Sequence, residues 1–320
     1  MSVTDIPTTL GALLVGGFFA TMLSGIVNLQ TMLYFKSYKT DPVRLKVTVL
    51  VAWGLDNLHT AFIWGGLWEY LIQNYGKTDS IDFIPWNISL TVILTATVTF
   101  LVHCFFAHRI YMLSKKNWFM TSPVIIFAVL RIGAASVSTW EMFHYQSFDL
   151  FKLHARWIFT LGLSVSSAVD ILITGCLFYL FQSNRPEAGD GTEIVSSYSM
   201  NKVIDKLMLY AFETGSLTCI GTIVSMIRWV AMSQNLIFLG LHFVIGKLYA
   251  NSLLVTLNTR ENIRRARSTS TGEQGPVVFL ESRRQKTSEQ YFGSPSTKVP
   301  TELQISVETS VHYESRSIDV

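Results

Sequence analysis

Ionisable and amide side chains recur deep inside the apolar stretches of this chain. A charged group at the centre of a bilayer costs at least about 2.5–3.5 kcal/mol, so it should face a partner, a ligand or water rather than lipid. Eight such residues are predicted to form a buried polar layer that binds a ligand, an ion or a proton: Asp56, His59, His103, Arg131, Asp170, Glu213, Lys247 and Asn251.

The spacing of these residues directs them toward the inside of a helix bundle. Asp56 and His59 are three residues apart and so share one helix face. Asp170 continues a row at four-residue spacing that begins with Gly162 and Ser166. At a rise of about 1.5 Å per residue, the acids and bases of the layer lie near the middle of their spans. We therefore expect them to pair with one another. Either the pairs only hold the helices together, or they line a ligand cavity; both interpretations stay open.

Composition indicates the class of protein. Hydrophobic residues make up 49% of the 320 residues and charged residues only 15%, whereas soluble proteins carry roughly 25% charged residues. Much of this charge lies after Arg260, so the preceding part is still more apolar. The chain is expected to be a multi-pass membrane protein that has the lipid bilayer as a partner. Its net charge of +3 is too small to indicate nucleic acid as a partner.

The apolar runs predict an all-α seven-helix transmembrane bundle over residues 1–260. A membrane helix needs about 20 mainly apolar residues to cross the hydrocarbon layer. The segments of the sequence that meet this requirement are roughly 11–35, 46–72, 87–112, 118–140, 157–181, 204–230 and 235–257.

Basic residues predict the orientation of the bundle. The first, third and fifth connections and the segment after the last span are rich in Lys and Arg, whereas the other connections carry few. Basic connections stay on the cytoplasmic side. The N-terminus is therefore expected outside and the C-terminus in the cytoplasm, which requires an odd number of spans.

Small residues mark one face of the first predicted helix. Ala12, Gly16, Ala20 and Ser24 follow each other at four-residue spacing. Such a face allows a neighbouring helix to approach closely. We expect helix packing there rather than ligand binding.

A basic cluster and hydroxyl residues follow the last span. Four arginines should attract anionic lipid at the cytoplasmic face, each contributing about 1 kcal/mol, and they are expected to continue the span as a short amphipathic helix. Phosphates on the hydroxyl residues behind them would weaken this contact. The basic cluster is Arg260, Arg264, Arg265 and Arg267, and the candidate phosphosites are Ser268, Thr269 and Ser270.

The remainder of the C-terminal segment is poor in large apolar residues. Residues 261–320 are rich in Ser, Thr, Glu, Gln and Pro, a composition that cannot bury enough apolar surface to fold alone. We predict a disordered cytoplasmic tail that binds a cytoplasmic partner, which the sequence does not identify.

Sequence motifs give no indication of an enzyme. The chain contains neither a Gly-x-Ser-x-Gly nor a His-Glu-x-x-His motif. His59, His103 and His242 lie on three different predicted helices, so a zinc site is conceivable but unsupported by spacing. A retinal Schiff base on Lys247 is conceivable in the same sense. We predict no enzymatic activity, no metal site and no cofactor.

Several stretches carry a resemblance to a known family. They are LDNLHT at 55–60, FFAHRI at 105–110, DILI at 170–173, GSLT at 215–218, GKLYANS at 246–252 and LNTR at 257–260. The chain resembles the fungal, mainly basidiomycete, seven-helix membrane proteins of domain of unknown function 6534. The resemblance implies a multi-pass membrane location and implies no activity.

Three functions are compatible with these features. A receptor-like sensor with a buried polar ligand site fits the predicted orientation, the basic cytoplasmic connections and the Ser/Thr-rich tail. A small-solute or proton-coupled transporter fits the ionisable residues within the membrane. An intramembrane metal-dependent hydrolase would need converging metal ligands. The sequence favours the sensor, and it does not distinguish the plasma membrane from an endomembrane.

Overall fold

The chain folds into long α-helices, as its apolar runs predict. The computed structural model describes residues 6–77, 81–183, 215–231 and 235–270, with side chains up to residue 260. The α-helices of these described residues are α1 Ala12–Ser37, α2 Val43–Trp68, α3 Trp86–Leu113, α4 Trp118–Tyr145, α5 Phe148–Ser183, α6 Gly215–Ala231 and α7 Ile237–Ser270. The predicted start of the sixth span, near residue 204, lies outside the described residues.

The helices have the length and composition of membrane spans. Five segments of the described chain are long and apolar enough to cross a bilayer: Pro7–Ser37, Trp86–Leu113, Trp118–Tyr145, Phe148–Ser183 and Ile237–Arg260. The protein is therefore a multi-pass membrane protein. Helix α2 is 26 residues long, but Asp56, Asn57 and His59 make its centre polar.

Helix α7 is the most interior of these spans. It packs against α1, α2 and α3, and 72% of the residues in its most apolar window are buried, against 33% for α1 and α4. Helix α1 is instead exposed along one side, where Phe18, Phe19 and Met22 are more than half exposed. The outer surface of α1 is thus suited to lipid, whereas α7 is surrounded by protein. We call the end of the bundle where α7 begins the upper end, and the end that holds Arg260 the lower end.

Two glycines bring α1 and α7 into backbone contact. A Cβ atom added at Gly16 would lie 2.5 Å from the Cα of Gly240, and one added at Gly240 would lie 2.5 Å from the carbonyl oxygen of Ala12. No side chain fits at such distances. Gly16, Ala20 and Ser24 are all buried, so the predicted small-residue face of the first helix is a packing face.

Polar contacts at the upper end explain why α5 is longer than its predicted span, 157–181. Gln146 and Ser147 separate α4 from α5, and Oγ of Ser147 accepts a hydrogen bond from the backbone N–H of Leu150 at 3.3 Å. Asp82 accepts two further bonds, from the Ser147 hydroxyl at 2.5 Å and from the N–H of Asp149 at 2.9 Å. These acceptors satisfy N–H groups at the helix start, so α5 begins at Phe148 rather than near residue 157.

Helix α7 extends past its predicted end at residue 257. It continues to Ser270, which is consistent with the short helix expected after the last span. Residues 261–270 are thus helical rather than disordered. Their side chains, including those of Arg264, Arg265 and Arg267 and of the candidate phosphosites, lie outside the described part, as do residues 271–320 of the predicted tail.

Candidate functional site

The predicted buried polar layer lies inside the bundle, but its members are divided among separate groups. Six of its eight residues are at most 4% exposed: Asp56, His59, His103, Arg131, Asp170 and Lys247. Asn251 is partly buried, and Glu213 lies outside the described residues. The expected pairing of an acid with a base is found for Asp56 and Lys247. The described members form two hydrogen-bonded networks and a third group with few hydrogen bonds.

The first network surrounds the ammonium group of Lys247 on α7. Its Nζ lies 3.1 Å from Oδ1 of Asp56 and donates hydrogen bonds of 2.6 Å to the backbone oxygen of Asp56 and to Oγ1 of Thr60. The Ser24 hydroxyl donates to Asp56 Oδ2 at 2.5 Å. The ammonium and the carboxylate are therefore fully engaged, and they join α1, α2 and α7.

Asn251 adds a further bond between α7 and α1. Its Nδ2 lies one turn below Lys247 and donates to the backbone oxygen of Leu23 at 3.2 Å and to that of Lys247 at 2.9 Å. Its Oδ1 is buried without a hydrogen-bond partner among the described residues.

The second network surrounds the carboxylate of Asp170 on α5. The hydroxyl of Tyr249 donates to Asp170 Oδ2 at 2.6 Å, and Nε2 of His103 lies 3.3 Å from Asp170 Oδ1. Ser166 Oγ lies 3.0 Å from the Tyr249 hydroxyl. This network joins α3, α5 and α7, and it contains a pair, His103 and Asp170, whose charge depends on protonation.

A small cavity adjoins the second network. Its volume is about 20 Å³, which is enough for about one water molecule. Its polar lining residues are His103, Asp170, Thr174, Thr218, Tyr249 and Ser252. A water molecule at this position has the polar partners that it needs, and it would lie beside the titratable pair.

The third group consists of His59, Arg131 and His242, from α2, α4 and α7. These side chains are 0–4% exposed. Four of their nitrogens have no hydrogen-bond partner in the described structure: Nδ1 of His59, Nε of Arg131 and both ring nitrogens of His242. Only Nε2 of His59 is engaged, at 3.1 Å from Oγ1 of Thr95. The group therefore presents buried nitrogens that no side chain or backbone group of the described residues satisfies.

The histidines do not converge on a metal site. The part of the chain that the structure describes contains no group of three or more His, Cys, Asp or Glu side chains that could hold a metal ion. His103 instead contacts Asp170, and His59 contacts Thr95. His103 and His59 thus have partners other than a metal in the described structure.

A clasp at the lower end connects the first connection to α7. Arg260 Nη2 donates to Asp41 Oδ2 at 2.6 Å, and its guanidinium lies 4.9 Å from the centre of the Tyr38 ring. The Tyr34 hydroxyl donates to the same carboxylate oxygen at 2.9 Å. The Tyr38 hydroxyl donates to the backbone oxygen of Asn258 at 2.8 Å. Arg260, which the sequence predicted to face lipid headgroups, is thus engaged by Asp41, because this part of α7 lies beside the end of α1.

The sequence interpretation missed the hydroxyl residues that complete the networks. Ser24 and Thr60 bind the Lys247–Asp56 pair, and Tyr249 binds Asp170. Tyr249 lies two residues from Lys247 in the middle of an apolar span. This central position of a hydroxyl group was the sequence feature that could have indicated its role. Ser24 had been assigned only to the packing face of α1.

Comparisons with known proteins agree with the resemblance seen in the sequence. The sequence model of a family of unknown function (DUF6534) matches residues 166–262. No curated protein matches the chain, and no solved structure does. The matched stretch contains Asp170, Lys247, Tyr249 and Arg260. The fungal origin implied by the resemblance stays a prediction. The resemblance to domain of unknown function 6534 is confirmed over residues 166–262.

Proposed function

We propose that the protein is a seven-helix receptor-like sensor that binds a small ligand in its buried polar layer. In this proposal the N-terminus lies outside and the C-terminus in the cytoplasm. The distribution of basic residues supports this orientation. The seven α-helices of the described residues support the count. The burial of six members of the layer supports a site inside the bundle.

One observation carries the proposal: α7 makes polar contacts at the centre and at the lower end of the bundle, and it carries a buried histidine above them. Near its upper end it holds His242. At its centre Lys247 binds α2, and Tyr249 binds α5. At its lower end Arg260 binds Asp41. Because one helix carries all these contacts, a ligand that binds in the polar layer and displaces α7 would also move Arg260 at the lower end. The displacement would therefore reach Asp41 in the connection between α1 and α2.

The two central networks limit the ways in which α7 can move. Lys247 and Tyr249 are two residues apart, so they project from different faces of α7. A rotation of the helix that shortens one set of contacts lengthens the other, which favours two discrete arrangements over a continuum. A ligand selects one arrangement only by binding it more tightly than the other. The buried donors of His59, Arg131 and His242 offer the contacts on which such a difference depends.

A second candidate, a proton-coupled transporter, rests on His103 and Asp170. Their side chains lie 3.3 Å apart beside the water-sized cavity. Buried pairs of this kind serve as proton relays in pumps and transporters. The sensor is preferred because the predicted orientation, the basic cytoplasmic connections and the Ser/Thr-rich tail all fit a receptor-like protein. We further propose that the protein is not an enzyme, since the sequence contains neither a Gly-x-Ser-x-Gly nor a His-Glu-x-x-His motif.

The cytoplasmic side of the proposal concerns residues after the clasp. Arg264, Arg265 and Arg267 would bind anionic lipid, and phosphorylation at Ser268, Thr269 or Ser270 would weaken that contact. The tail beyond Ser270 would bind a cytoplasmic partner. The helical continuation of α7 to Ser270 supports a direct connection between the bundle and this region.

The test combines ligand binding with a distance measurement. The full-length protein in lipid nanodiscs is screened by thermal unfolding against small acids, amines, sugars, sterols and divalent metals. Hits are applied to protein with spin labels at Lys39→Cys and His108→Cys, after replacement of the three native cysteines. Both labels lie at the lower end. A ligand-dependent shift in the distance between them supports the sensor.

Transport is measured in parallel. Proteoliposomes with an entrapped pH dye report proton flux driven by the same ligands. Flux that disappears in Asp170→Asn, without a change in the spin-label distance, would replace the sensor by the transporter. Thermal stabilisation by no compound, with Lys247→Ala and Asp170→Asn both strongly destabilised, would reduce the polar layer to a structural role.

A further inference from the structure

The buried group formed by His59, Arg131 and His242 differs from the other polar groups of the core. Both carboxylates of the described core are bound by other partners: Asp56 by Lys247, and Asp170 by Tyr249 and His103. Arg131 therefore has a through-space interaction with Asp170 but no carboxylate oxygen at its Nε. A guanidinium that is 4% exposed and lacks a hydrogen-bonded anion is costly in a low-dielectric core.

The three side chains lie in one region of the bundle. Arg131 and His242 both adjoin α5, at Gly162 and Phe159, which are three residues apart and share one helix face. Nε2 of His59 lies 3.1 Å from Oγ1 of Thr95, and the same oxygen lies beside Gly246, one turn from His242. Every unsatisfied nitrogen of the group is buried.

A glycine of α5 lies beside the guanidinium of Arg131. On α5, Gly162 stands opposite it, and a Cβ atom added there would lie 3.5 Å from Arg131 Nη1, an ordinary contact. Helix α5 thus presents no side chain to this part of the guanidinium. The Phe159 ring, 5.9 Å from the His242 ring, forms an apolar boundary.

Further unsatisfied polar atoms extend from the group to the upper end. Thr139 lies two turns above Arg131 on α4, a rise of about 12 Å, and Asn235 precedes the start of α7, above His242. Both side chains are at most 7% exposed. Their Thr139 Oγ1 and Asn235 Oδ1 atoms lack hydrogen-bond partners in the described structure. These atoms mark a polar path toward the end where α4 finishes and α7 begins.

We propose that His59, Arg131 and His242 bind the carboxylate of a small organic acid that reaches them from the upper end of the bundle. This inference rests on the sensor function proposed above and specifies its ligand class. A guanidinium matches a carboxylate with two parallel N–H···O bonds, which an ammonium cannot form. The aromatic side chains around the upper part of the path, Phe151, Phe159, Trp229 and Phe238, favour an acid with an apolar tail.

The test uses carboxylates and their neutral amides as matched probes. Full-length protein in nanodiscs is titrated with butyrate, benzoate, butyramide, benzamide and chloride while its thermal unfolding is followed. The acids are expected to raise Tm in a saturable manner, and the amides are not. Arg131→Gln should weaken the apparent affinity for the acids at least about tenfold, the loss expected for a charge-assisted hydrogen-bonded pair. The exposed Arg44→Gln is the control.

A second measurement covers the case in which Arg131→Gln does not fold. Carboxyl-¹³C benzoate is observed by NMR in the presence of wild-type protein and of His242→Gln. A saturable shift with wild type that unlabelled butyrate reverses supports the site, and the shift should be lost with His242→Gln. Saturable stabilisation by chloride alone, equal effects of acids and amides, or no saturable ligand at all would each overturn the carboxylate site.

The spin-label pair at Lys39→Cys and His108→Cys separates this inference from the proposed function. Saturable acid binding without any change of distance keeps the carboxylate site and overturns the sensor. A distance change caused only by a ligand that Arg131→Gln leaves unaffected keeps the sensor and overturns the carboxylate site.

Discussion

Lys247 Nζ lies 3.1 Å from Asp56 Oδ1, although the two residues are 191 positions apart in the chain. Both side chains are about 1% exposed. The ammonium also holds the backbone oxygen of Asp56, so α7 and α2 are joined at a single point in the middle of the bundle. This point gives the first prediction.

Lys247→Ala should destabilise the protein by about 3–5 kcal/mol, because it leaves the Asp56 carboxylate buried and unpaired. The double variant Asp56→Leu with Lys247→Met should recover most of this loss, since no charge is then left behind. Thermal unfolding in nanodiscs measures both. The exposed Lys36→Ala serves as control and should stay within about 0.5 kcal/mol of wild type. A double variant less stable than either single variant would contradict the prediction.

Tyr249 and Asp170 should behave as one energetic unit. Tyr249→Phe removes a 2.6 Å bond to the carboxylate and is expected to cost about 1.5–3 kcal/mol, as for a hydrogen bond to a charged group. With Asp170→Asn as the second change, a double-mutant cycle should show a coupling of at least about 0.5 kcal/mol. Tyr179→Phe, at a tyrosine that is 62% exposed on the same α5 as Asp170, is the control. Strictly additive effects would rule out this unit.

The contact between Gly16 and Gly240 should tolerate no added methyl group. Gly16→Ala and Gly240→Ala each place a Cβ atom 2.5 Å from backbone atoms of the other helix. We expect each to lower the free energy of unfolding by about 1–3 kcal/mol, the usual cost of overpacking. Gly25→Ala, on the same helix with nothing within 4 Å, should be neutral or slightly stabilising. Equal effects at Gly16 and Gly25 would show that α1 and α7 do not touch there.

The clasp at Arg260 should control local opening more than global stability. Arg260 is 37% exposed at its side chain, and a pair of this exposure contributes about 0–1 kcal/mol. Arg260→Ala should therefore change Tm little but increase amide hydrogen exchange over residues 38–45, where the Asp41 and Tyr38 contacts are lost. The exposed Arg44→Ala is the control. Unchanged exchange in Arg260→Ala would mean that the clasp restrains nothing.

The proposed orientation can be tested without altering the bundle. An epitope tag before Met1 should be accessible to antibody on the outer side of sealed membranes, and a tag after Val320 only after permeabilisation. The asymmetry of basic residues between alternate connections is the reason for this expectation. Accessibility of both tags on one side would require an even number of spans and would exclude a seven-span arrangement.

Much of the architecture could be predicted from the sequence because hydrophobicity is a local property. Uninterrupted apolar runs require helices in lipid, since each backbone N–H and C=O must be satisfied within its own segment. Spacing within one helix likewise placed His103 and Asp170 on interior faces. The start of α5 could not be read in this way. It depends on Asp82, which lies more than sixty residues away and accepts the hydrogen bonds of the helix start.

By itself the sequence determined that the protein is helical, that it lies in a membrane, that the polar layer faces inward and that α1 offers a small-residue face. Only the tertiary structure decided which of these groups meet. Asp170 contacts His103 and Tyr249 rather than Arg131. Lys247 pairs with Asp56, and Arg260 pairs with Asp41. The physical reason is that the two kinds of information act over different distances. Helical spacing fixes the face and the approximate depth of a side chain, whereas a hydrogen bond requires its partner within about 3 Å, which depends on how neighbouring helices are rotated and shifted against each other.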